Sequence, residues 1–266
     1  MKPLEKEIYE KILELSRRLP AAVKKRLENA GRTETGRARK ALEIVRENWK
    51  TAEKYGMPLC QDTGIPLFFV TCGRKHEPEK IKDAIVNAAA AAYRKLRESE
   101  VSDPVRRTPS VTKPFIFWEY GRKTKIEILL KGGGCENLSA LFHFNPVSGR
   151  KEIEEALLGF LKKRAINACP PLFIGIGIGG EMLTASRLAY RALLRLPEKR
   201  NSGRFYSSWE KRLEKRINLL GIGPQGWGGK TTVLGAGIEH APSHIANLSL
   251  ALVVNCHSFR KGSVFP

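Results

Sequence analysis

Five segments of this chain combine glycine, proline and polar side chains too densely to be simple connections. In Pro58–Pro66 (PLCQDTGIP), Cys60, Gln61, Asp62 and Thr63 set a thiol, an amide, a carboxylate and a hydroxyl on consecutive positions. Two readings stand. One is an Asx-turn closed by Asp62, with Cys60 as filler. The other is a loop whose thiolate binds a metal while its neighbours meet a ligand. Lys131–Asn137 (KGGGCEN) carries three consecutive glycines. Their entropic cost suits either a plain flexible turn or a nest of exposed N–H groups that receives an anion. Cys169 precedes Pro170-Pro171, which fix the backbone after the thiol. Ile174–Gly180 then alternates isoleucine with glycine, a pattern for a strand with something packed on its bare face.

Gly221–Thr232 (GIGPQGWGGKTT) invites comparison with a phosphate loop, G-x-x-x-x-G-K-[ST]. Five positions before Gly229 stands Pro224, not glycine, and the residues after Lys230 are β-branched and glycine-broken where a helix should begin. Spacing and context both reject a nucleotide loop there. The fifth segment runs from Pro242 to Arg260. Two of the chain's five histidines, His244 and His257, lie on either side of Cys256 within it, which points to a site rather than to scattered structural residues.

These segments must be positioned by regular elements. Ile8, Ile12, Leu13 and Leu15 recur at near-helical spacing up to Pro20. Further helices are expected at Ala22–Ala30, at Thr35–Tyr55 closing on Gly56, and at Ala84–Leu96 with its small-residue stretch. Pro114–Tyr120 and Lys125–Leu130 read as the two strands of a hairpin. Glu152–Ala168 and Met182–Leu194 read as helices, and Leu172–Ile178, Thr231–Gly235 and Leu250–Val254 as strands. Asn201–Arg204 (NSGR) is the expected mobile loop. Helices first and a mixed sheet later predict an α+β fold: one domain over 1–266, helical through residue 56 and mixed from 57.

Length and charge narrow the classes. The 266 residues can bury a sizeable core without disulfides. Apolar runs such as Leu248–Val254 fall short of the ~20 residues a membrane span requires. The N-terminus has charges throughout and no apolar signal core, so a cytoplasmic location is expected. Five cysteines with no C-x-x-C pair do not suggest a disulfide framework. The net charge of +20 admits three explanations: a nucleic-acid partner, an acidic protein partner, or a solvated surface. The cations are scattered along the sequence, which disfavours a nucleic-acid-binding protein.

Taken together, PLCQDTG, KGGGCEN, CPPLFIGIGIGG, GPQGWGGKTT and PSHIA…NCH resemble, in order, the motifs of the class I fumarase and L-tartrate dehydratase family of iron–sulfur hydro-lyases. The resemblance implies a [4Fe–4S] cluster held in loops by Cys60, Cys169 and Cys256, with one iron left open as a Lewis acid. It implies contacts to a dicarboxylate substrate from Gln61, Asp62, Arg97, the backbone of Gly133, and His244, with catalytic roles for Asp62 and His244. The family usually has serine where this chain has Cys135, and the stretch after Asp103-Pro104 departs from the family pattern. Long members continue into a second catalytic domain, whereas this chain stops at Pro266. The resemblance therefore implies the alpha subunit of an α2β2-type enzyme whose beta subunit completes the site. Hydration of fumarate to (S)-malate is the expected reaction, and dehydration of L-tartrate the alternative.

Overall fold

The computed structural model describes residues 1–266. The chain opens with α1 (Pro3–Arg17), α2 (Ala21–Thr33) and α3 (Gly36–Tyr55). There follow β1 (Ile65–Gly73), α4 (Pro78–Leu96), the short β2 (Glu100–Asp103) and β3 (Thr108–Ser110), β4 (Phe115–Gly121), β5 (Lys125–Lys131) and the single-turn α5 (Gly133–Glu136). The remainder is β6 (Ala140–Phe144), α6 (Arg150–Arg164), β7 (Leu172–Ile178), α7 (Met182–Arg195), α8 (Arg204–Asn218), β8 (Val233–His240), β9 (Leu248–Asn255) and β10 (Arg260–Val264). Helices followed by mixed sheets make the fold α+β, as the sequence predicts. No helix is long and apolar enough to cross a membrane. The chain forms two compact units. The first is Met1–Pro20, Asn48–Gly133 and Ser258–Pro266; the second is Ala21–Glu47 and Gly134–His257.

In the first unit the sheet order is β10-β5-β1-β4, with β1 parallel to β4 and antiparallel to β5. Ile8, Ile12 and Leu15 of α1 pack with Ala88, Ala89 and Ala92 of α4 and with Phe68, Val70 and Ile128 of the sheet. The small side chains of α4 let α1 approach closely, which explains the alanine stretch. α4 begins at Pro78, earlier than the apolar pattern suggests, because proline suits a first helical turn. The expected hairpin does not form: β1 lies between β4 and β5. The turn that joins them steps over the end of β1, where the Gly73 N–H donates to Thr124 Oγ1 (3.0 Å). Leu67–Val70 of β1 are buried throughout. A central strand of this kind reads as an apolar run without alternation, so period alone does not reveal it.

In the second unit the order is β6-β9-β7-β8, with β7 and β8 parallel and β9 antiparallel to β7. The isoleucine–glycine alternation of β7 is a contact surface. A Cβ on Gly175 would stand 2.1 Å from the Ala189 carbonyl oxygen, and one on Gly177 1.9 Å from that of Ala185. α7 thus lies directly on the bare face, through its fully buried Ala185, Ala189 and Ala192. Ile174 and Ile176 belong to the core with Leu157 and Leu161 of α6 and Leu213 and Ile217 of α8. Asn201–Arg204, expected as a mobile loop, is fastened. The Asn201 N–H donates to the Glu210 carboxylate (3.1 Å), and its Nδ2 donates to the Ile238 carbonyl (2.8 Å). Glu210 is fully buried, paired with Arg195 at 2.8 Å, and also accepts the Ile238 N–H.

Two substitutions at glycine should have opposite signs. Gly177→Ala should destabilise the protein by about 1–3 kcal/mol or more, because the α7 backbone must move away. Gly159→Ala, in α6 with open space around it, should stabilise by about 0.5–1 kcal/mol. Denaturant unfolding of both variants checks the pair.

Candidate active site

The register of the first sheet gathers the relevant loops at one end. Ile65 pairs with Lys131 and Arg260 with Leu130. Cys60–Gly64 before β1, Gly133 after β5 and Arg260 at the start of β10 therefore meet. Asp62 closes an Asx-turn: its Oδ1 accepts the Gly64 N–H and its Oδ2 the Gly133 N–H, each at 2.8 Å. The glycine run is thus neither a plain turn nor an open nest. It curls into α5, and the N–H of Gly133 is already held by a carboxylate.

Buried donors hold the rest of the loop. Arg260, 3% exposed, donates from Nη1 to the carbonyls of Asp62 (2.9 Å) and Thr63 (3.0 Å). Tyr93 donates its hydroxyl to the Gly64 carbonyl, and burial pushes that phenol well above its ordinary pKa, so it stays a donor. Thr63 Oγ1 donates to the Arg97 carbonyl (3.0 Å), which ties the end of α4 to the loop. With its main chain held, the loop leaves Cys60 and Gln61 exposed. Cys60, Gln61, Thr63, Arg97 and Arg260 line one cavity of about 310 Å³.

In the second unit, Cys169 ends a 3-10 turn (Ala165–Ala168) in the left-handed region at φ +52° and precedes a cis Pro170–Pro171 bond. Gln225 donates both its N–H and its Nε2 to the Pro170 carbonyl at 2.8 Å. His257 Nδ1, 3.0 Å from the Cys169 carbonyl oxygen, is its donor. Burial lowers the pKa of His257, opposed by that bond, which favours a neutral ring. Phe173 pairs with Asn255, so Cys169 before β7 and Cys256 after β9 stand at one end of the sheet.

His244 stands at the other end. It occupies the turn between β8 and β9, and the length of the seven-residue β7 separates it from the two cysteines by roughly 20 Å. Its turn is rigid: Ser243 Oγ donates to the Asn247 carbonyl, and Asn247 Nδ2 to that of Gly180, both at 2.7 Å. His244 Nδ1 accepts the Ala246 N–H (3.1 Å), so the proton of the neutral ring sits on the outward Nε2.

Cys72 and Cys135 are buried in the two cores, whereas Cys60 and Cys169 are exposed and Cys256 is half-buried. No three His, Cys, Asp or Glu side chains converge as a metal-binding group. The donor set still fits an iron–sulfur group: three accessible soft thiols, with the other two withdrawn into apolar surroundings. Three contributors went unnoticed in the sequence. Arg260 closes the fifth segment but gave no sign of its carbonyl contacts, Tyr93 is hidden in an alanine-rich helix, and Gln225 lies in a family motif to which no role of its own is assigned from sequence.

The class follows from comparison with known proteins: the chain is a hydro-lyase, a carbon–oxygen lyase. Residues 5–264 match the model of the fumarate hydratase (Fumerase) family, and the chain belongs to that family. A Methanocaldococcus jannaschii protein, provisionally named L(+)-tartrate dehydratase subunit alpha, is 35% identical over 257 residues, covering 91% of this chain and 90% of its own. The L(+)-tartrate dehydratase subunit alpha of Escherichia coli is 30% identical over 261 residues, covering 94% of this chain and 86% of its own.

Removing the loop's buried donor should loosen the loop that carries Cys60 and Gln61. Arg260→Ala should destabilise the protein by about 1–3 kcal/mol, since the Asp62 and Thr63 carbonyls lose their partner. Hydrogen exchange at Gly64 and Gly133 should accelerate in the same variant. Wild-type exchange rates there would contradict the clamp.

Proposed function

We propose that this chain is the alpha-type subunit of a [4Fe–4S]-dependent hydro-lyase that reversibly hydrates fumarate to (S)-malate, with an active site completed by a separate beta subunit. The observation that carries the reading is the first-unit cavity, which Cys60, Gln61 and Arg97 line together. Cys60, Cys169 and Cys256 would hold the cluster. When bound, the cluster supplies a Lewis acid for the hydroxyl that is added or lost.

The chain's own residues supply recognition and order. Arg97 offers a planar fork that matches one substrate carboxylate in bidentate fashion. Gln61, next to the thiol, offers an amide donor and acceptor to the same small anion. Asp62 acts chiefly as the clamp that fixes the loop, since both of its oxygens accept backbone N–H groups. His244 would reach a centre holding Cys169 and Cys256 only from another copy of the chain, as an α2β2 assembly allows. A dianion needs a second cation and a base at the reacting carbon. The relatives' names, which specify an alpha subunit, support a partner chain as their source.

Those names also favour a second reading, L-tartrate as the substrate dehydrated. Turnover discriminates. The chain co-purified anaerobically with its partner should convert fumarate and L-malate, and the isolated chain should fall short by orders of magnitude. Activity confined to L-tartrate would replace the first substrate with the second. Full activity of the isolated chain would refute the two-chain site.

A further inference from the structure

The end of the first sheet opposite the Cys60 loop carries a different surface. β1 is nine residues long, so this end lies roughly 30 Å from the candidate active site. Two turns meet here, residues 74–77 after β1 and residues 122–124 between β4 and β5. Thr124 Oγ1 accepts the Gly73 N–H and lies 2.7 Å from His76 Nδ1. A Cβ on Gly73 would stand 3.0 Å from the Thr124 nitrogen. The two turns therefore form one rigid platform.

That platform presents Arg74, Lys75, Arg122 and Lys123, all exposed and none engaged by a carboxylate. Of the nearby acids, Glu77 pairs with Lys80 and Glu127 with Lys125, each at 2.7 Å, and Glu119 accepts the Thr71 hydroxyl (3.1 Å). Four like charges on a fixed frame repel one another, and a multivalent anion would relieve that repulsion. Lys75, His76 and Arg122 line two adjoining cavities of about 780 and 980 Å³. An aromatic ring stands at the side of each, Phe265 (67% exposed) in one and Tyr120 (87% exposed) in the other. Unpaired cations beside two exposed rings, the Phe265 ring with the Lys125 ammonium 6.0 Å from its centroid, suit a ligand with phosphates and a flat base. The space is also far larger than a four-carbon acid needs.

We propose that this cleft binds nucleotide phosphates through Arg74, Lys75, Arg122 and Lys123, with Tyr120 or Phe265 stacking on the base. The nucleotide comes either free or as a unit of a single strand. The chain contains cations throughout, and the fold, not the sequence order, brings these four together.

The test uses the purified protein with any partner it retains, a labelled dT12 strand and ATP, at 50 and 200 mM salt. The strand should bind at the lower salt, weaken steeply at the higher, and bind at least tenfold more weakly to the Lys75→Ala/Arg122→Ala/Lys123→Ala variant. That variant's salt slope should fall by about two to three. Lys151→Ala/Lys162→Ala/Lys163→Ala, an equal charge loss on α6, should change binding less than twofold. Tyr120→Ala with Phe265→Ala should weaken it without altering the salt slope. Displacement of the strand by ATP would support the cleft as a site for free nucleotide, and strand binding that ATP does not displace would support single strands. Equal losses in the two triple variants, or no binding of either probe at 50 mM salt, would overturn the proposal.

Discussion

The candidate site depends on Asp62 bridging two backbone N–H groups that are 69 residues apart in sequence, those of Gly64 and Gly133. A side chain with two acceptor oxygens is the shortest device that can close its own turn and hold a second loop. Arg260 and Tyr93 complete it from the other side by donating to the carbonyls of Asp62, Thr63 and Gly64. Buried donors on one side and a carboxylate on the other leave the loop little freedom. The thiol and amide at its tip, Cys60 and Gln61, are fixed without being buried.

The second unit meets the same need with different means. Its thiol loop is held by Gln225 on the Pro170 carbonyl and by His257 on the Cys169 carbonyl. Both depend on the end of the second sheet being placed correctly, and the missing side chains of Gly175 and Gly177 let α7 seat on that sheet. Seating α7 on bare strand sets the helix closer than any side chain would permit. The charged pairs around Glu154 and Glu210 then fasten α6, α8 and the Asn201 turn. Glycine-rich segments in this chain therefore serve close packing as much as ligand approach.

The α+β order and the helices with a clean apolar stripe were legible in the sequence, because burial on one face imposes a period. α8 escaped notice although Trp209, Leu213 and Ile217 recur every four residues, since its charged surroundings (RFYSSWEKRLEKRIN) mask them. The false hairpin has a different cause. Neighbouring strands with a short turn pair locally by default, and nothing in either strand announces that β1 will insert between them. At the site, Cys60, Cys169 and Cys256 stood out through their glycine and proline neighbours. The separation of His244 from the latter two did not, because strand direction is set by pairing and not by distance along the chain. The clamp by Arg260 was equally hidden, since a buried arginine bound to carbonyls has no sequence signature.

In the proposed enzyme the accessible thiols, and not the buried ones, hold the iron–sulfur cluster. Iron and acid-labile sulfide content, read with visible absorbance after anaerobic reconstitution, tests it across five single Cys→Ser variants. The cluster should be lost on replacement of Cys60, Cys169 or Cys256 and retained on replacement of Cys72 or Cys135. A cluster that survives replacement of Cys169 but not of Cys135 would contradict it.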